Sequence, residues 1–147
     1  MRKVISNTSC LIALSNIQRL DLLSEIYGSI WITPEVAVEF GEPLAAWIEV
    51  VPVKDQSKVR LISYTLDIGE ASTIALAMEY ENSLLILDDG KARNFAKGLG
   101  LALTGTLGVI IKAKQQGADI DLIDIVTKFR QRGFRIPNDI EAIMKKL

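Results

Sequence analysis

The sequence has no histidine and a single cysteine, Cys10. The first absence excludes Ser-His-Asp and Cys-His nucleophile arrangements, imidazole bases and His-ligated metals. The second excludes internal disulfides, C-x-x-C redox pairs and cysteine-rich zinc sites. Long apolar runs are missing as well. The longest uncharged stretches, Val4–Gln18 and Gly98–Ile111, span 15 and 14 residues and are broken by polar residues or glycine. A membrane helix needs about 20 mainly apolar residues. Nor does the stretch after Met1-Arg2-Lys3 offer a signal-peptide core, because Ser6, Asn7, Thr8 and Ser9 interrupt it. The expectation is a soluble cytoplasmic protein without a membrane partner. Any chemistry at neutral pH falls to carboxylates, lysines and hydroxyls. Carboxylates working without histidine point to a hard metal such as Mg²⁺ or Mn²⁺.

What is present suffices for one domain over residues 1–147. The apolar fraction is 49% and the mean hydropathy +0.26, ample material for a core. The net charge is −1 but unevenly spread. Residues 1–87 hold 6 basic and 11 acidic side chains, and residues 88–147 hold 11 and 7. Solvated helix faces explain such a split simply. An acidic site beside a basic partner-facing surface is the sharper reading.

Strand-like and helix-like patterns alternate along the chain. Lys3–Ser6 reads as a strand ending at the capping types Asn7-Thr8-Ser9. Helical spacing then runs from Leu11 to Ile26 and stops at Gly28. Residues 29–32 read as a second strand, and Thr33-Pro34-Glu35 opens a helix that closes at Gly41. The pattern predicts a short helix over 42–49 and an edge strand or linker over 50–53. Gly69-Glu70 opens an alanine-rich helix, and residues 84–87 form an apolar run suited to a strand buried on both faces. After Asp88-Asp89-Gly90 come a helix over 91–97 and a strand over 101–103. Thr106 is expected to cap a helix to Gln116, and residues 120–131 and 138–146 read as amphipathic helices. Such alternation implies a parallel sheet covered by helices. Sites in these folds lie beyond the carboxyl ends of the strands, here at Asn7, Thr33 and Asp88-Asp89.

Asp88 and Asp89 are adjacent carboxylates that repel unless a cation or hydrogen-bond donors offset them. Helix capping is their simpler role, and Asp89 is the better metal candidate of the two. Glu70 taken alone stabilises a helix N-terminus, worth about 0.3–1 kcal/mol. Glu39 taken alone is a solvent-facing helical glutamate, and Asn7, Thr8 and Ser9 are ordinary caps. Together these groups cluster at strand ends. Converging carboxylates would bind a divalent cation able to polarise a phosphate and acidify a bound water. Lys91, Arg93 and Lys97 follow on one helix and could reach phosphates, and Lys128, Arg130, Arg132 and Arg135 form a second basic cluster. No interleaved aromatic stripe suggests base stacking. Trp31, Trp47, Phe129 and Cys10 read as core or interface residues.

Several segments carry a resemblance. They are Ile5–Ser9 with Leu11–Leu14, Ile32-Thr33-Pro34 with Val38-Glu39-Phe40, and Gly69-Glu70-Ala71 through Ala77. Leu85–Asp89 with Lys91-Ala92-Arg93 and Gly100–Gly108 complete the set. In order and spacing the chain resembles the PIN-domain ribonucleases, particularly compact prokaryotic members related to VapC-type toxins. The resemblance implies a three-layer α/β/α sandwich with a mainly parallel sheet and acidic residues around Mg²⁺ or Mn²⁺. It also implies hydrolysis of RNA, often by a toxin held inactive by an antitoxin protein, and a homodimer. Carried over by position, the acids fall on residue 7, Glu39, Glu70 and Asp89, with Asp88 able to share or replace the last. Glu70, Asp89 and Asp88 are the implied metal ligands, and Thr8, Ser9, Lys91 and Arg93 the implied RNA contacts.

The chain departs from the family at residue 7, where Asn stands in place of Asp. The amide keeps a neutral oxygen donor and loses a charge, so attraction for a hard cation falls. Leu87 also stands where many relatives carry a hydroxyl. Three readings stay open: a weak nuclease, a catalytically silent module binding RNA or a protein, or a chain altered at position 7. A phospho-receiver would instead place its paired acids after the first strand.

Overall fold

The computed structural model describes residues 2–136. Its strands are β1 (Lys3–Ser6), β2 (Ile30–Ile32), β3 (Ile48–Val50), β4 (Ser83–Ile86) and β5 (Ala102–Thr104). They form one sheet in the order β3-β2-β1-β4-β5, with every pairing parallel. Eight helices accompany them among the described residues: α1 (Thr8–Asn16), α2 (Asp21–Tyr27), α3 (Pro34–Phe40), α4 (Gln56–Ser63), α5 (Ile68–Met78), α6 (Gly90–Gly98), α7 (Thr106–Gln115) and α8 (Leu122–Gln131).

Side-chain alternation divides the core. Val4, Ile30, Ile32, Leu84 and Ile86 point to one face, against α1, α2, α7 and α8. Ile5, Leu85 and Leu87 point to the other, against α4, α5 and α6. Near-continuous apolar runs such as Leu84–Leu87 are what a sheet covered on both faces requires. The result is the expected three-layer α/β/α architecture. Cys10 and Phe129 are buried in the first core. No described helix is long and apolar enough to cross a membrane.

Several boundaries differ from the sequence pattern. The helical spacing over 11–26 belongs to two helices, not one. At the end of α1, Gln18 takes φ +59, and the Gln18 and Arg19 amides donate to the Ser15 and Leu14 carbonyls at 3.0 and 2.9 Å. This is a Schellman-type stop built without glycine. The periodicity crosses the break because Leu14, Leu22 and Leu23 face the same core.

Residues 42–49 form no helix. Gly41 closes α3 in a left-handed conformation, φ +70, and Pro43 biases Glu42 away from helix. The chain turns at residues 46–47 and pairs with β2 from Ile48 to Val50, earlier than the expected 50–53. The Val51 amide still donates to Ile32 at 2.9 Å, but Pro52 has no amide with which to continue.

The capping position of α7 is Gly105 rather than Thr106. Asp121 caps α8 through the Ile123 and Asp124 amides, so the helix starts at Leu122. The helix expected over 138–146 lies outside the described residues. No motif above marked α4, which Asp55 caps.

Leu85 is fully buried in β4, between β1 and β5. Leu85→Ala is expected to cost about 2–5 kcal/mol, read as a lower denaturation midpoint with an unchanged slope.

Candidate active site

The site gathers where the strands end. The Asn7 amide donates to the Ile86 carbonyl at 3.1 Å, which holds the exits of β1 and β4 side by side. Asn7 is the N-cap residue of α1, yet its side chain makes no capping hydrogen bond. Its carbonyl accepts from the Ser6 hydroxyl at 2.9 Å. Thr8 is buried and its Oγ1 has no hydrogen bond of ordinary geometry. Ser9 is exposed.

Across this edge lies the start of α5. Asp67 caps it, accepting from the Glu70 amide at 2.8 Å. Ser72 and Thr73 both donate their hydroxyls to the Gly69 carbonyl, at 2.9 and 2.8 Å. The Ser72 oxygen also lies 2.7 Å from Thr33 Oγ1, and Thr33 accepts from the Val36 amide at 3.2 Å to cap α3. A buried chain of hydroxyls thus locks the starts of α3 and α5 together. That lock sets Glu39 against Gly69: a Cβ on Gly69 would collide with Glu39 Oε1. Glycine here gives the carboxylate room.

The electrostatics are one-sided. Burial first, then the neighbouring Asp67 and Asp89, push the Glu70 carboxyl up to about 7. Glu39 is raised by desolvation and by Asp67, and the Thr8 hydroxyl only partly offsets this. Among the described residues the ion pairs are Arg19–Asp21 at 3.3 Å and Lys128–Asp124 at 3.0 Å. Neither involves this cluster. Glu39, Asp67, Glu70 and Asp89 therefore face one another with no ion pair among the described residues.

Asp88 and Asp89 take different roles. Both Asp88 oxygens bind the start of α7, accepting from the Thr106 amide at 2.7 Å and its hydroxyl at 2.6 Å. Asp89 caps α6 with Oδ2, accepting from the Ala92 amide at 3.0 Å. Its other oxygen makes no hydrogen bond to the described protein, and the residue is exposed. Arg93 folds back to donate Nη1 to the Leu87 carbonyl at 2.7 Å. Lys91 is exposed.

The structure thus brings Glu39, Glu70 and Asp89 to one edge with Asn7 beside them, and commits Asp88 to Thr106. Asp67 was missed. Its signal was the Asp-x-x-Glu spacing of Asp67 and Glu70, a capping-box pattern. For a divalent cation the fit is electrostatic: hard oxygen donors, excess negative charge and, among the described residues, no paired counter-ion. Geometrically the set is short, since among the described residues no three acidic side chains stand ready to hold one ion. Glu70 and Asp89 are the pair best able to hold it.

The raised Glu70 carboxyl makes stability depend on pH. Between its usual value near 4.5 and about 7 the folded state binds more proton than the unfolded chain, so this group lowers stability as pH rises. Without added metal, Glu70→Gln is expected to gain stability relative to the parent between pH 5 and pH 8. Denaturant titrations at the two pH values test this, and an unchanged difference would contradict it.

No curated protein matches this chain. A family model described as the PIN domain matches residues 3–147. With the strand order, the acidic edge and that match in agreement, the chain belongs to the PIN-domain family.

Proposed function

We propose that this protein hydrolyses RNA phosphodiester bonds with a divalent cation, Mg²⁺ or Mn²⁺, and that Asn7 sets its activity low. The observation that carries the reading is the buried Glu70 carboxyl, crowded by Asp67 and Asp89 and without an ion pair among the described residues. A polar cluster that raises its own charge cost is the mark of a site tuned for function rather than for stability. PIN domains as a family supply the nuclease-type fold and a general dependence on divalent metal.

Glu70 and Asp89 would hold the cation, and Asn7 would offer a neutral carbonyl. When bound, the metal polarises a phosphate oxygen and lowers the pKa of a water. Asp67 orients the first turn of α5 and adds negative potential. Asp88 and Thr106 fix the start of α7 against the end of β4. The resemblance to the compact prokaryotic branch supports a toxin role, and the antitoxin it implies would be a small DNA-binding protein encoded alongside.

Asn7 also favours a second reading, a catalytically silent module that keeps RNA or protein binding. Retained RNA binding with no heat of Mn²⁺ binding in calorimetry would favour it.

The deciding assay is cleavage of single-stranded RNA with Mg²⁺ or Mn²⁺. Slow cleavage is expected from the parent chain. Asn7→Asp should raise it by at least the roughly 10–100-fold that supporting groups contribute at metal sites. Glu70→Gln and Asp89→Asn should abolish it. No cleavage with either metal, even after Asn7→Asp, would sink the nuclease reading.

A further inference from the structure

Beside the acidic edge, a groove of about 1,210 Å³ runs between α1, the β5–α7 turn and the segment after α8. It exceeds the roughly 300–1,000 Å³ of most small-molecule pockets. Asp89 lies at its margin, and so does Asp88, whose charge already serves Thr106. Three guanidinium groups, Arg93, Arg132 and Arg135, line the rest. Arg132 and Arg135 are exposed, and among the described residues neither side chain is paired with an acid. Arg93 spends Nη1 on Leu87 and keeps its remaining donors. Between these charges the wall is apolar, with Ile12, Leu107 and Phe134 among its residues.

Across α3 and α5 the cluster presents Glu39, Asp67 and Glu70, acids that disfavour the approach of a polyanion. The groove is the side with the opposite sign. Guanidinium groups bind phosphates, while apolar and aromatic walls accept base faces, which a duplex hides and a single strand exposes. We propose that single-stranded RNA lies along this groove, its phosphates on Arg132 and Arg135 and its bases against the apolar wall, leading the backbone to Asp89. This track rests on the ribonuclease reading. It displaces the contact surface from the exposed face of α6, where Lys91 and Lys97 stand, to the turn after α8.

The test uses the full chain in a Glu70→Gln background, so that the probe stays intact. A fluorescein-labelled 12-nucleotide single-stranded RNA and the duplex of the same sequence are titrated by anisotropy across a salt series. Arg132→Ala with Arg135→Ala should weaken single-strand binding by about tenfold or more. It should also reduce the salt slope by roughly 1.4, the loss of two phosphate contacts at ~0.7 each. Arg→Lys at both positions should retain most of the slope, and Lys91→Ala with Lys97→Ala should change affinity less than twofold. Unchanged affinity in the double arginine variant, or a larger loss from the lysine pair, would overturn the track while leaving the function standing. Duplex binding as tight as single-strand binding would overturn the base-wall contact. A parent chain that binds neither RNA would remove the ribonuclease reading and the track with it.

Discussion

The pairing of β1 with β4 governs the rest of this structure. Four registered residue pairs, from Lys3 with Ser83 to Ser6 with Ile86, end the two strands level. The Asn7 amide extends the ladder by one more hydrogen bond. Because the strands are parallel and stop together, the chain leaves both at one edge. Asn7 and Asp88-Asp89 therefore become neighbours although some eighty residues separate them. β2 and β5 flank this pair and deliver the starts of α3 and α7 to the same edge. Helix N-termini carry partial positive charge. This edge can thus tolerate acids that would be costly elsewhere, and Asp67, Asp88 and Asp89 each spend part of their charge on such amides.

The charge split along the sequence becomes a split in space. The acids of α3 and α5 sit on one side of the strand ends, while Arg93, Arg132 and Arg135 sit on the other, around the groove. Asp89 stands where the two meet: it raises the Glu70 carboxyl and borders the groove. Two carboxylates in one chain segment are sorted by their donors. Asp88 is consumed by two short hydrogen bonds from Thr106, and Asp89 keeps one oxygen unused by the described protein. Adjacent in sequence, they are unlike in chemistry.

The fold was largely legible because burial on both faces leaves an unambiguous trace. The apolar run over 84–87 marked the central strand, which the structure places one residue earlier at Ser83–Ile86, and Thr33-Pro34 marked the start of α3. The errors fall where local pattern and tertiary demand part company. Leu22 and Leu23 continue the spacing of Leu11 and Leu14 because both pairs serve one core; periodicity reports the buried side, not the continuity of the chain. Residues 42–49 looked helical in isolation, but β2 needed an edge partner and Pro43 discouraged the alternative. In the site, Glu39, Glu70 and Asp89 were legible as acids at strand ends and in the helices that follow them. Asp67 was hidden because a capping aspartate looks the same whether or not a second carboxylate lies against it. The engagement of Asp88 by Thr106 joins two segments that no local spacing connects.

Asn7 shows how stability and metal affinity oppose each other at such an edge. An amide is nearly isosteric with a carboxylate, so the strand exit and the start of α1 need not move to accommodate it. What changes is charge. Every carboxylate added to a cluster that already holds Glu39, Asp67, Glu70 and Asp89 raises the cost of folding without a cation, since like charges at short range disfavour ionisation. The same carboxylate deepens the well that a cation falls into. Replacing it with an amide relaxes the metal-free protein and weakens the grip on a divalent ion, leaving the oxygen donor in place. Glu70 is then the residue on which the balance turns, because it is the buried acid of the set and feels both Asp67 and Asp89. A cation at this edge would draw Glu70 into its ionised form and repay the cost of its burial, so metal binding and the charge state of Glu70 are two readings of one equilibrium.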